Sequence, residues 1–288
     1  MQVGDGYRRG FTLVELIVVI SILSLLMAIV IPALSGAQRQ AKSVVSMSNQ
    51  RQVTSAINLF ASDNHDRYPE SVATIGFDNN WNWSDPTRLT GNRRRSPQLH
   101  RAMSEYLKDF IADASVMYCP SAPRKYAYLQ KAWDAGNNWD NPETAFPADP
   151  VGGTYCYYWN YRGYLGEGKI FRGPPGPASS GRYSKLIVSD YFGYNHWRSP
   201  DAYGSCEKFE GSDITPETYL LSSYWSKRSA PGNLPEITLR AGYTDGHVET
   251  YSTTEVVPMK VSLTSDGGTP YPDDVGPGIF FLPRNAVR

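Results

Sequence analysis

From Leu16 to Ile31 every residue is apolar except Ser21 and Ser24, and a single carboxylate, Glu15, stands at the edge of that run. Phe11 to Leu34 is 24 residues; at about 1.5 Å per residue a helix of that length spans roughly 36 Å, more than a bilayer's hydrocarbon core of about 30 Å. A helix apolar on all sides needs lipid or a protein interior around it. An acid in lipid costs on the order of 2.5–3.5 kcal/mol even on lenient scales, so Glu15 needs a partner or a purpose. A chain cut after Gly10 would provide one, because the new α-amine on Phe11 is a natural counter-charge.

The residues before and after that acid carry a resemblance. Arg8-Arg9-Gly10, then Phe11-Thr12-Leu13-Val14-Glu15, then an apolar helix containing Pro32, resembles the class III signal of type IV pilins and type II secretion pseudopilins. The resemblance implies cleavage between Gly10 and Phe11 by a prepilin peptidase and N-methylation of Phe11. It implies that Glu15 is the assembly glutamate, neutralised by a neighbouring subunit's amine, and that Pro32 is the helix-kinking proline. It also implies a single-pass protein of the inner membrane, with the N-terminus cytoplasmic and the C-terminal domain periplasmic or extracellular. Charge alone does not orient the segment, since Arg8 and Arg9 flank one end and Arg39 and Lys42 the other. An ordinary secretory signal with Ser35-Gly36-Ala37 as its cleavage site is the alternative; the length of the apolar run and the acid at its start disfavour it.

Beyond Pro32 the sequence stays helix-compatible to Asp63. Val45, Val53, Ala56, Ile57 and Phe60 form the expected docking stripe, with Arg39, Lys42, Arg51 and several Gln and Ser on other faces. Asp63-Asn64-His65-Asp66 reads as the stop, with His65 a turn residue, and Tyr68-Pro69 as the start of an extended segment. The expected organisation is a leader over 1–10, a transmembrane and assembly helix over 11–34, its amphipathic continuation over 35–64, and a globular domain over 65–288.

In that domain a helix is predicted over Pro97–Ile111 with Ser96 as N-cap. Strands are predicted over Ser115–Cys119, Thr154–Tyr161, Lys185–Asp190, Ile237–Tyr243 and His247–Ser252, with Val256–Leu263 and Ile279–Leu282 as edge strands. Thr244-Asp245-Gly246 marks a hairpin, because Asp-Gly tolerates positive φ. The fold class expected is α+β: a long N-terminal helix packed on an antiparallel sheet with long Gly/Pro-rich loops, pilin-like. The order also resembles a large prepilin-like family of environmental bacteria. Its marks read here as Tyr118-Cys119-Pro120, Thr154-Tyr155-Cys156-Tyr157, Leu186-Ile187-Val188-Ser189-Asp190 and Asp245-Gly246-His247-Val248. The histidine for which that family is named falls on Pro235 here, a departure from its pattern.

Composition narrows the function classes. Lys+Arg and Asp+Glu are equal at 28 each, which gives no basic surface for nucleic acid. Cys119, Cys156 and Cys206 allow one disulfide in any of three pairings. Asp190, Asp245 and His247 would suit a divalent metal if their strands were neighbours, although Asp245 also reads simply as a turn residue. Asp266, Asp273 and Asp274 form an acidic loop compatible with calcium, without EF-hand spacing. No cofactor is otherwise expected. No nucleophile, metalloprotease or phosphate-loop motif occurs, so the reading is a structural pilin or pseudopilin subunit, not an enzyme. The rivals are a glycan-binding adhesin, whose Trp81, Trp83, Trp133, Trp139, Trp197 and Trp225 would stack on polysaccharide, and a tethered hydrolase. Core packing of those tryptophans is the plainer expectation.

Overall fold

In the computed structural model, one helix, α1, runs over Leu13–Asp63. The structure describes residues 11–74, 86–90, 102–121, 129–139, 153–165, 169–194, 203–204, 238–260 and 279–287. The chain divides into two compact units, residues 1–42 and 43–288.

The first unit contains the α1 residues up to Lys42. Its large apolar side chains, from Leu13 to Leu34, are all exposed, so no protein surface among the described residues of the unit covers them. The helix is long and apolar enough to cross a membrane, by length and composition. Its hydroxyls are already satisfied: Ser21, Ser24 and Ser35 each donate to the carbonyl four residues back, at 2.7, 2.7 and 3.0 Å. Such back-bonding satisfies the three hydroxyl donors within the helix itself. α1 continues through Pro32, whose missing N–H leaves the carbonyl of Ala28 without its usual partner.

The second unit is α+β, with two antiparallel sheets where the sequence led us to expect one. The four-stranded sheet has the order β1-β4-β7-β8, built from Tyr155–Tyr157, Leu186–Asp190, Thr238–Tyr243 and Val248–Ser252. The six-stranded sheet has the order β3-β2-β9-β10-β5-β6. Its strands are Arg162–Tyr164 (β2), Ile170–Arg172 (β3), Phe192–Tyr194 (β5), Tyr203–Gly204 (β6), Val256–Lys260 (β9) and Ile279–Pro283 (β10). β9 and β10 are therefore interior strands, not edges, because β2 and β5 flank them.

Alternation along the four-stranded sheet divides the core. Tyr155, Tyr157 and Val188 join a cluster containing Val53, Ala56, Ile57 and Ala61 of α1. Cys156, Leu186, Leu239, Ala241 and Tyr243 join a second cluster with Met259, Phe280 and Leu282 of the other sheet. A register shift between Leu186 and Val188 lets Ile187 also enter the first cluster. The inner strands of the sheet are thus buried on both faces, which is why all of β4 is buried.

Local chemistry explains the other departures. Among the described residues the helix expected over 97–111 is a single turn, Ser104–Leu107 (α2); 91–101 lie outside them. The strand expected over Ser115–Cys119 is instead a 3-10 turn, Ala114–Met117, because the Asp113 carboxylate accepts the Ser115 N–H at 2.8 Å and bends the chain. A further helix, α3, forms at Leu129–Ala135 with Trp133 buried. The Asp-Gly hairpin closes as expected, with Gly246 at φ +87° and its N–H on the Tyr243 carbonyl at 2.8 Å.

α1 ends where expected. His65 and Asp66 adopt φ of 56° and 57°, and the Asp66 N–H closes on Ala61 O at 2.9 Å. The loop after β3 then meets the chain leaving α1: Pro175 accepts the Tyr68 N–H at 2.9 Å and Pro174 that of Asn160 at 3.0 Å. Gly173 starts this loop, and a Cβ there would lie 1.5 Å from the Tyr158 carbonyl oxygen. Backbone on backbone has no rotamer to relieve the overlap. Gly173→Ala should destabilise the fold by about 3 kcal/mol, the upper end for overpacking, read as a lowered urea midpoint at unchanged m-value.

Candidate functional site

Two constellations combine the sequence's site candidates with polar chemistry, one in each unit. The first is the start of α1. Thr12 and Glu15 form a reciprocal cap: the Thr12 N–H and hydroxyl both donate to Glu15 Oε2, at 2.9 and 2.8 Å, and the Glu15 N–H donates to Thr12 Oγ1 at 3.2 Å. This capping box satisfies two backbone donors that a helix start leaves open. Glu15 therefore has a partner within its own chain. The Thr-x-x-Glu spacing was available in the sequence as a capping signature, and Thr12 is the site residue that reading missed. Phe11 and the first turns are exposed, leaving Glu15 accessible at the apolar edge.

The second constellation lies between α1 and the four-stranded sheet. Asp190, at the end of β4, is 1% exposed and forms an ion pair with Arg240 of β7 at 3.0 Å. Its Oδ2 accepts from the Arg240 backbone N–H at 3.1 Å as well as from the guanidinium. Its Oδ1 accepts from Gln50 Nε2 at 2.8 Å and Ser46 Oγ at 3.3 Å, both on α1. Arg240 Nε reaches Ser43 Oγ at 2.9 Å, and Tyr155 OH lies 3.0 Å from Ser46 Oγ. Burial, followed by the Asp190 charge, pushes the Tyr155 phenol up, so it stays protonated and donates to Ser46. Burial likewise pushes the Asp190 carboxyl up, while the Arg240 charge and the hydrogen bonds oppose it.

This arrangement corrects two expectations. The Ser and Gln positions placed on the solvent faces of α1 include Ser46 and Gln50, which are fully buried and hydrogen-bonded, whereas Val45 of the expected stripe is 47% exposed. Asp190 also does not meet Asp245 and His247. β4 and β7 are neighbours, but the register sets Asp190 beside Arg240 at one end and Thr244 beside Lys185 at the other. The five residue steps from Lys185 to Asp190 span about 17 Å. The four lone-pair positions of Asp190 are all used by the donors above, leaving none for a cation.

Asp245 and His247 do contact each other through Asp245 Oδ1 and His247 Nδ1 at the exposed hairpin tip, and the His247 ring stacks on Tyr243 at 4.5 Å. Partial burial opposes the Asp245 charge, but the hydrogen bonds from the His247 ring and backbone outweigh it and hold the carboxyl below its usual range. Among the described residues, no group of three or more His, Cys, Asp or Glu side chains gathers as metal ligands would. Asp266, Asp273 and Asp274 lie outside the described residues. Cys119 is disulfide-bonded and Cys156 keeps a buried thiol on β1, while Cys206 lies outside the described residues. Trp133 and Trp139 are core residues, with the Trp133 indole N–H on Ile111 O at 3.0 Å; Trp81, Trp83, Trp197 and Trp225 lie outside the described residues.

One comparison with known proteins falls on the first constellation. Residues 6–31 match the family model described as the prokaryotic N-terminal methylation motif. With Glu15 capped at the head of a membrane-capable helix, this start resembles that of prepilin-like proteins. The chain is also similar to the type II secretion system core protein G of Pectobacterium carotovorum subsp. carotovorum, 42% identical over 68 residues. Those residues are 23% of this chain and 43% of that protein, so the chain spans less than half the length of the relative it matches. No solved structure matches the chain.

Removing one member of a buried ion pair leaves the other charge uncompensated, which typically costs about 3–5 kcal/mol. Asp190→Ala should lower unfolding free energy by that order. The double variant Asp190→Leu with Arg240→Met should recover only part of the loss, because Gln50 and the Arg240 backbone N–H lose their acceptor, as urea unfolding of the two variants would show.

Proposed function

We propose that the protein is a structural subunit, a pseudopilin or minor pilin-like component of a type II secretion or type IV pilus-like system. The carrying observation is the methylation motif over residues 6–31 leading into a helix whose apolar residues are exposed on every side. In this reading a prepilin peptidase cuts between Gly10 and Phe11 and N-methylates Phe11. The helix holds the subunit in the inner membrane by a single pass, N-terminus inward and globular domain in the periplasm or beyond. Assembly then packs these helices against those of other pilin or pseudopilin subunits.

The chemistry of Glu15 supports the assembly step. Alone, the subunit satisfies the acid through Thr12. A neighbour's Phe11 amine would add a full opposite charge, and in low dielectric that attraction is far stronger than in water. A helix can slide along another apolar helix at little cost, so one fixed charge pair sets the axial register. Pro32 leaves one carbonyl open and is the place where the helix bends most easily during transfer.

Mass spectrometry of the mature chain from its native host tests the processing. The expected N-terminus is Phe11 carrying one added methyl group. A start at Gln38 or an intact Met1 would overturn the reading. Glu15→Ala should be processed normally yet enter cross-linked assemblies roughly tenfold less, the change that about 1.4 kcal/mol produces. Normal incorporation would remove Glu15 from that role.

A further inference from the structure

The inner face of α1 changes character along its length. Ser43, Ser46, Asn49 and Gln50 meet the domain through polar atoms: Ser43 with Arg240, Ser46 and Gln50 with Asp190, and Asn49 with the Tyr118 carbonyl at 3.2 Å. From Val53 onward the contact is apolar, through Val53, Ala56, Ile57 and Ala61. The polar stretch begins at Ser43, where the second compact unit begins.

Three features lower the cost of separating the polar stretch from the sheet. The Asp190–Arg240 pair joins two strands of the sheet, so it stays intact if the helix leaves, and both charges gain water. Burial already disfavours the Asp190 charge, and exposure relieves that penalty. Gln50 Oε1 is buried with no hydrogen bond among the described residues. Its amide nitrogen faces two acceptors, Asp190 Oδ1 and the Arg240 carbonyl at 3.4 Å, so flipping the amide would not repair the orphan oxygen. Undocking gives that oxygen water. The apolar stretch gains nothing comparable, because exposing Val53 and Ile57 costs burial directly.

We propose that Ser43–Gln50 is a polar latch that releases from the sheet as a local event while Val53–Ala61 stays anchored. Release frees about 12 Å of α1, giving the helix adjustable reach and tilt without unfolding the domain. Its use in assembly rests on the reading above; the release itself does not, and the N-terminal mass decides that reading separately.

The test compares alkylation by iodoacetamide in the full chain in detergent, with Cys156→Ser as background. The thiol introduced by Ser46→Cys should react at least tenfold faster than that introduced by Ala56→Cys. Its rate should be nearly flat in low urea, since local release exposes little surface, while the Ala56→Cys rate should climb with the global unfolding slope. Equal rates with a shared urea dependence would overturn the latch, because α1 would then leave only with the whole domain. If Ser46→Cys does not fold, Asn49→Cys on the same turn carries the same two outcomes.

Discussion

The Asp190–Arg240 pair sets where α1 meets the four-stranded sheet. Hydrophobic burial holds α1 to the four-stranded sheet but is nearly indifferent to a shift along the helix axis. The carboxylate is not. It lies between β4 and β7, is 1% exposed, and takes two hydrogen bonds from the strand side and two from α1. Sliding the helix by one residue would remove Ser46 and Gln50 from reach. The pair therefore converts an apolar contact into one register, a use for which buried charges are best attested.

α1 carries two kinds of surface on one backbone. Up to Leu34 its side chains are apolar on all faces and its serines bond internally. From Ser43 only one face is buried, and the polar residues on that face bond to the sheet. Glu15 and Asp190 are the two acids that demand explanation along this path. Glu15 is held by the helix start itself through Thr12, whereas Asp190 needs three separate elements, α1, β4 and β7, to bring its donors together.

That difference also separates what could be read from the chain from what could not. The prepilin-like start, the stop at Asp63–Asp66, the β4 strand and the Asp-Gly hairpin all depend on neighbours within a few residues, where propensity, capping and turn chemistry act. The expected strand at Ser115–Cys119 failed for an equally local reason, an Asp113 side chain competing for the backbone. The expected stripe on α1 held at Val53, Ala56, Ile57 and Phe60 and departed only at Val45, for a nonlocal reason. Ser46 and Gln50 are buried instead, because an isolated helix gives no sign that a buried acid 140 residues away in sequence requires donors.

By itself the sequence determined the membrane-capable helix, its capped acidic start and its end, since periodicity, length and short-range hydrogen bonding are properties of contiguous residues. Only the tertiary structure decided that the inner strands of the four-stranded sheet are buried on both faces, that β9 and β10 are interior, and that Asp190 pairs with Arg240 rather than joining Asp245 and His247. Those outcomes follow from strand order and register, which are set by contacts between residues far apart in the chain.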